Sequence, residues 1–188
     1  MKTTLGQIST IQTGLFAKPS AEGDIIYLQA KHFDENGQLT SMLHPDLKKE
    51  NISERHLLKH GDVLFSAKGT KNFAAWYGIK NRPAVASTSF FVIRLLEDYQ
   101  KIILPEFLCW FINHPRSQEL LKGKAIGSSI PSISKVVLEE MEITIPDLRT
   151  QETILKIFNL GIKEKQLKQQ IETLKEKQIQ KLLINAIK

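Results

Sequence analysis

The heptapeptide SAKGTKN, from Ser66 to Asn72, sets a glycine between two lysines and adds two hydrogen-bonding side chains. Gly69 lets the backbone come close to an oxyanion, Lys68 and Lys71 supply positive charge, and Thr70 and Asn72 supply donors. That combination suits a phosphate; a plain surface hairpin is the alternative. A second cluster, Lys80, Asn81 and Arg82, stands before Pro83 in another expected turn. Asparagine and arginine are the side chains whose geometry matches adenine and guanine edges. A third stretch, KGKAIGSSIPS, presents Lys122, Lys124, Ser128, Ser129 and Ser132. Small hydroxyl residues with accessible backbone N–H groups clamp phosphates well, and they also make flexible linkers. Lys31, beside His32 after a short strand, is a further candidate.

The net charge of +6 is unevenly placed. Residues 148–188 hold nine basic and four acidic side chains, so they carry +5, and the first 147 residues carry only +1. Within those, Val63 to Leu96 contains no acid but has Lys68, Lys71, Lys80, Arg82 and Arg94. Such a stretch predicts a local positive surface able to face phosphate, unless acids from elsewhere fold over it.

Other chemistries lack their residues. His56 and His60 are four apart, but HLLKH has no glutamate and no evident third ligand, so no zinc hydrolase site and no metal are expected. There is no GxxxxGK[ST] sequence and no glycine-rich loop after a first strand, and no cofactor is expected. Cys109 lies between Leu108 and Trp110 without a polar activator, which predicts buried packing. A single cysteine fits a reducing compartment and a cytoplasmic location. No run of 18 apolar residues occurs, and MKTTLGQIST has one lysine and no apolar stretch of a leader, so neither a membrane span nor a signal peptide is expected.

The elements that must position these residues are short. Residues 1–13 read as an extended lead-in, and DIIYLQA (Asp24–Ala30) as a strand. Asn36-Gly37 marks a turn. DVLFSAKG is a buried strand running into the glycine loop; Phe73–Ile79 and Ala84–Leu95 are two more. PEFLCWFINHPRSQELLKG opens with Pro105 and predicts a helix broken near Pro115. Glu142–Pro146 is a last strand. Residues 1–146 therefore form a mixed, mainly short-stranded α+β domain, and 147–188 a single long helix.

That helix has an apolar seam and nothing of its own to cover it. Asp147 is a good N-cap, and no proline occurs in the last 41 residues. At ~1.5 Å per residue the helix would run about 60 Å, twice the ~30 Å expected of the domain beside it. Leu160, Leu167 and Leu174 are seven apart, and Ile171 follows Leu167 by four. Ile179, Leu182 and Leu183 extend the apolar positions beyond them. A seam this narrow belongs to a coiled coil. It requires a helix from a second copy or from another protein, unless the tail lies back on its own domain.

The order of pieces resembles the specificity subunit of Type I restriction-modification systems. GDVLFSAKGT, AVASTSFFVIRL and PEFLCWFINHP, leading to GSSIPSISKVVLEEMEITIPDLRTQETILKIF, look like one target-recognition domain with its spacer helix. The segment from Gly127 to Phe158 is the most specific. The family commonly has two prolines at the strand end and an acid before the glutamine, where this chain has Pro146-Asp147 and Thr150. The resemblance implies a non-catalytic chain that reads a bipartite target in double-stranded DNA. It also implies partners: an adenine-specific methyltransferase subunit and, in restricting complexes, a translocating nuclease subunit. The Asn/Asp-Pro-Pro-aromatic signature of the methyltransferases themselves is absent. A full-length specificity subunit resembles two such units in tandem with antiparallel helices. One unit alone implies a homodimer whose seam residues Leu160, Leu167, Ile171, Leu174, Ile179, Leu182 and Leu183 pair with their twins. A partner half of different sequence would instead give a non-palindromic target. In that setting Trp76 and Tyr77 become candidates to pack against DNA, although strand aromatics are more often core. The competing reading, favoured by the near-neutral first 147 residues, is a protein-interaction adaptor with a basic helix and no specific DNA binding.

Overall fold

The computed structural model describes residues 1–20, 22–34, 37–40, 43–69, 72–78, 83–127 and 131–187. The chain divides into two compact units, Met1–Leu148 and Arg149–Lys188. In chain order come β1 (Lys2–Thr4), α1 (Leu5–Ile8), β2 (Ser9–Thr13), β3 (Ile26–Leu28), β4 (Val63–Ser66), β5 (Ala74–Trp76), β6 (Ala84–Ala86) and β7 (Phe90–Leu95). Then follow α2 (Glu97–Gln100), α3 (Pro105–Asn113), α4 (Pro115–Gly123), α5 (Lys135–Glu139), β8 (Glu142–Thr144) and α6 (Leu148–Ala186). Single 3-10 turns sit at Ala30–His32, Lys49–Asn51 and Glu54–His56. This is the mixed α+β class with a long C-terminal helix that the sequence predicts.

The centre of the first unit is an antiparallel sheet in the order β2-β7-β4-β5. Every residue of β4 is buried, as expected of an unbroken apolar run. Leu64, Phe90 and Val92 join Phe73 and Ala75 in the main core, while Val63 and Phe65 are equally buried and α3 packs on β4 and β5. A parallel pair, β3 with β6, lies between two apolar clusters. Ile26, Leu28, Ala84 and Ala86 face the main core. Tyr27 and Val85 face the other way, onto Ile25 and Leu47. The strand period of two divides alternate residues between the clusters, which is why both short strands are buried throughout.

Several expected boundaries change. Ala84–Leu95 is not one strand. Ser87 closes a turn by accepting from the Phe90 N–H at 3.0 Å, so β6 goes to β3 and β7 to the central sheet. The Ser-Thr-Ser trio interrupts an otherwise continuous β-branched and aromatic run. The strand expected over Phe73–Ile79 is confined to Ala74–Trp76. The extended lead-in contains a helical turn, α1, whose start is held by the Thr4 N–H donating to Gln7 Oε1 at 3.1 Å. The helix break falls as expected: α3 ends at Asn113, and Pro115 opens α4 with its own N–H missing. β1 pairs antiparallel with β8, and the Met1 amino group donates to Ile145 O at 2.8 Å. The first strand of the unit is thus tied to the one that leads out into α6.

Candidate nucleic-acid interface

Two of the three sequence-predicted segments come together, although they lie more than fifty residues apart. Lys68 and Ser132 form an antiparallel bridge. The Gly69 N–H donates to Pro131 O and the Ile133 N–H to Ala67 O, both at 2.9 Å. Ile126 and Ser132 exchange a second pair of backbone bonds at 2.9 and 3.0 Å. Exposed Lys68 therefore sits on one of these laced strips, and exposed Lys122 and Lys124 lie at the end of α4 and just after it, leading into Ile126. Gly69 has φ +98°, and a Cβ added there would meet nothing within 4 Å. Its backbone conformation calls for glycine, and the space beside it is open. Lys124 is partly engaged, with its Nζ 4.0 Å from Glu140. Thr70, Lys71, Ser128 and Ser129 lie outside the described residues, as do Lys80, Asn81 and Arg82 of the second cluster.

The base of this patch is held by aromatics. Phe73 and Phe90 meet edge to face at 6.0 Å, and Phe33 stands 5.7 Å from each. Phe33 follows the turn that carries exposed Lys31, so this contact ties that turn to the root of the Lys68 loop. Next to Lys31, His32 is held below its ordinary pKa by burial and by the lysine charge, with Asp46 acting in the opposite sense. Gly37, with φ +75°, lies so close to β5 that an added Cβ would stand 2.2 Å from Ala74 O. Asn72 takes a different part from the one expected of it. It is buried, and its Nδ2 donates to Ser66 O at 2.9 Å, closing the loop from inside.

Arg94 requires the clearest correction. It was counted among the cations of the acid-free stretch, yet its Nε and Nη2 donate to Asp62 Oδ1 and Oδ2 at 2.7 and 2.6 Å. Asp62 is buried and also accepts from the Lys59 N–H at 2.7 Å. That hydrogen bonding raises the Arg94 pKa above its usual value and cancels its charge as a surface feature. Tyr77 is buried beside Asp62, with its phenol pKa raised by burial and by that carboxylate, so it is not a DNA-facing aromatic. Trp76 is 40% exposed, near His60 and over Gly78. The Cys109 thiol lies 3.1 Å from Ala74 O, and burial pushes its pKa up to about 12, an inert packing role as expected. Sequence reasoning passed over Ile126 and Phe16, which are 71% and 73% exposed, each two residues along the chain from a lysine (Lys124 and Lys18). Their signal was an isolated large apolar residue in a stretch with no period.

α6 is unbroken for 39 residues, about 58 Å at ~1.5 Å each. Its seam residues Leu160, Leu167, Ile171, Leu174, Ile179, Leu182 and Leu183 are 49–64% exposed in the single chain. None of the helices described is long and apolar enough to cross a membrane, and no group of described residues is arranged to hold a metal ion.

A model of the Type I restriction modification DNA specificity domain matches residues 1–173. No curated protein matches. Among solved structures, one described as the assembly and conformational transition of the type I R-M system aligns with TM-score 0.67 at 19% identity, over 90% of this chain and 44% of that one. The HsdS subunit from Thermoanaerobacter tengcongensis aligns with TM-score 0.63 at 22% identity, over 90% of this chain and 44% of that one. The S subunit from M. genitalium gives 0.58 at 15% identity, over 85% and 38%. The chain spans less than half the length of each, and at these identities the likeness is one of fold. With the family model covering most of its length, this chain belongs to the Type I restriction modification DNA specificity domain family.

Proposed function

We propose that this chain is the DNA-reading half of a Type I restriction-modification assembly, working as a twofold dimer joined through α6. The family match over residues 1–173 carries the reading. A specificity-domain family recognises rather than catalyses, in line with the expectation of a non-catalytic chain. Dimerisation is supported by the exposed seam of α6, because leucines at heptad spacing gain little in isolation and much when a second helix covers them. Two identical readers on a twofold recognise an inverted repeat, and a rod of ~60 Å spans at most about 18 base pairs at ~3.4 Å each. The partners are double-stranded DNA, an adenine-specific methyltransferase subunit and, in restricting complexes, a translocating nuclease subunit, all in the cytoplasm.

The test is to incubate the chain and its methyltransferase subunit with DNA and map the methylated adenines. A bipartite palindrome with fixed spacing is expected. An asymmetric target would point to a partner half of different sequence. No methylation, together with no DNA shift at low salt, would favour the adaptor reading. Within the interface, Lys68→Ala should weaken binding by a similar factor on specific and unrelated DNA. It should also reduce the slope of log K against log salt by about 1, because a phosphate contact carries no sequence information. Fluorescence anisotropy across a salt series measures both.

A further inference from the structure

Resting on the DNA-binding role proposed above, we infer that Phe16 is a base-contacting residue, held out on a locked turn beside Lys18 and Lys48, which take the neighbouring phosphates. Sheet topology brings it to the candidate interface. β2 and β4 both run antiparallel to β7, so both end where β7 begins. β6 turns into β7 at that end, and β3, parallel to β6, stops there too. The segments at these strand ends therefore emerge together: 14–18 after β2, Ala30–His32 after β3, Lys68 and Gly69 after β4, and Ser87–Ser89 before β7. Backbone contacts join most of them in a row. Leu15 bridges Ser87, the Ala67 N–H donates to Ser89 O at 3.0 Å, and Lys68 bridges Ser132, which bridges Ile126. Four inter-strand steps at ~4.8 Å make a row of at most about 19 Å, the length of five or six base pairs at ~3.4 Å each. Phe16 stands beside one end of it and Ile126 at the other.

A single exposed apolar side chain is ordinary on a protein surface. What sets Phe16 apart is how its backbone is held. The phenol oxygen of buried Tyr27 donates to Leu15 O at 2.9 Å and accepts from the Ala17 N–H at 3.2 Å, so one atom clamps the chain on both sides of Phe16. The Leu15 N–H donates to Ala86 O at 2.8 Å and the Gly14 N–H to Phe90 O at 3.0 Å. Leu15 and Ala17 are half-buried, and the ring between them is turned out into solvent. Little backbone freedom is left to lose when that ring packs on a partner.

The surroundings select that partner. Phe16, Lys18 and Lys48 line a hollow of about 320 Å³ with Leu47 and Ile52, and among the described residues no acid lines it. Two acids of the adjoining segments are turned inward: Asp46 Oδ1 accepts from the Tyr27 N–H at 2.7 Å, and Asp24 Oδ2 from the Lys49 N–H at 3.4 Å. An apolar ring beside two exposed ammonium groups, at the same end of the sheet as Lys31 and Lys68, complements a duplex, whose phosphates flank apolar base surface. Phe16 meets either a thymine methyl in the major groove or the face of a base opened from its stack. Both are apolar contacts with a base, so they carry sequence information that phosphate contacts from Lys18 and Lys48 do not.

Fluorescence anisotropy of the full chain with its methyltransferase subunit, on the mapped target and on an unrelated duplex, tests this. Phe16→Ala should weaken target binding roughly tenfold or more, change unrelated binding by less than about twofold, and keep the parent's salt slope. Lys18→Ala should weaken both duplexes alike and lower the slope. Phe16→Leu, still apolar, should keep more of the target preference than Phe16→Ser. Two DNA substitutions separate the forms of contact. Uracil in place of one thymine should reproduce the Phe16→Ala loss if a methyl is touched. 2-Aminopurine at one step should brighten with the parent, and not with Phe16→Ala, if a base is unstacked. Absence of both signals would overturn the base contact, as would an unchanged preference in Phe16→Ala or equal losses on the two duplexes. Loss of methyltransferase binding, with the chain's own DNA affinity intact, would put a protein on the ring and sink the inference. Melting of the Phe16 variants should match the parent, and a large drop would make the ring structural, with the same result. A parent that binds no DNA at low salt defeats the proposed function itself. A parent that prefers its target as Phe16→Ala does defeats Phe16 alone.

Discussion

A chain carrying Leu167→Gln and Leu174→Gln is expected to sediment at its monomer mass of 21.4 kDa at micromolar concentration, where the parent is expected to sediment as the proposed dimer. The substitutions remove four leucines from the twofold interface. Each is worth about 1.5–3 kcal/mol when covered, so about 6–12 kcal/mol is lost. A micromolar dimer is held by about 8 kcal/mol and a nanomolar one by about 12. The loss is of the same size as the whole association energy. Glutamine is a good helix former, so α6 should keep its helicity by circular dichroism, and melting of the first unit should not move. Methylation of the bipartite target should fall more than about a hundredfold, because each monomer reads half the site and loses the fixed spacing. A variant that stays dimeric would place the interface elsewhere.

The second large effect lies far from the helix. Asp62→Ala should cost about 3–5 kcal/mol, out of the ~5–15 that hold a domain together. The carboxylate is 1% exposed and receives both arms of Arg94 together with the Lys59 N–H. Removing it strands a guanidinium that is only 25% exposed. For a unit of this size each kcal/mol moves Tm by roughly 2–4 °C, so a fall of about 10 °C is expected by thermal melting in the absence of DNA. Asp62→Ala with Arg94→Met should melt above Asp62→Ala alone, since no unpaired charge remains. Equal melting of the two would mean that Arg94 finds another partner.

Which features the sequence reveals depends on whether their cause is local. α6 is legible because its causes lie along the chain: no proline, good helix formers and a heptad of leucines. α5 is masked, because Val136 and Val137 favour an extended reading, yet Ser134 Oγ accepts from the Val137 N–H at 3.3 Å and caps a helix. The split between β6 and β7 turns on three small polar residues whose partners, β3 and β4, lie elsewhere in the chain. The Lys68–Ser132 bridge joins residues 64 apart and has no local signature. Arg94 was misread for a simpler reason. A window without acids does not say what stands just outside it, and Asp62 lies one residue before that window.

The pairing of β1 with β8 joins the two ends of the first unit. Lys2 stands opposite Thr144, so the unit is entered and left at one corner, four residues before α6 begins. Removing the first four residues would therefore strip β8 of its partner strand and the Ile145 carbonyl of the Met1 amino group, and would loosen the segment that leads into α6.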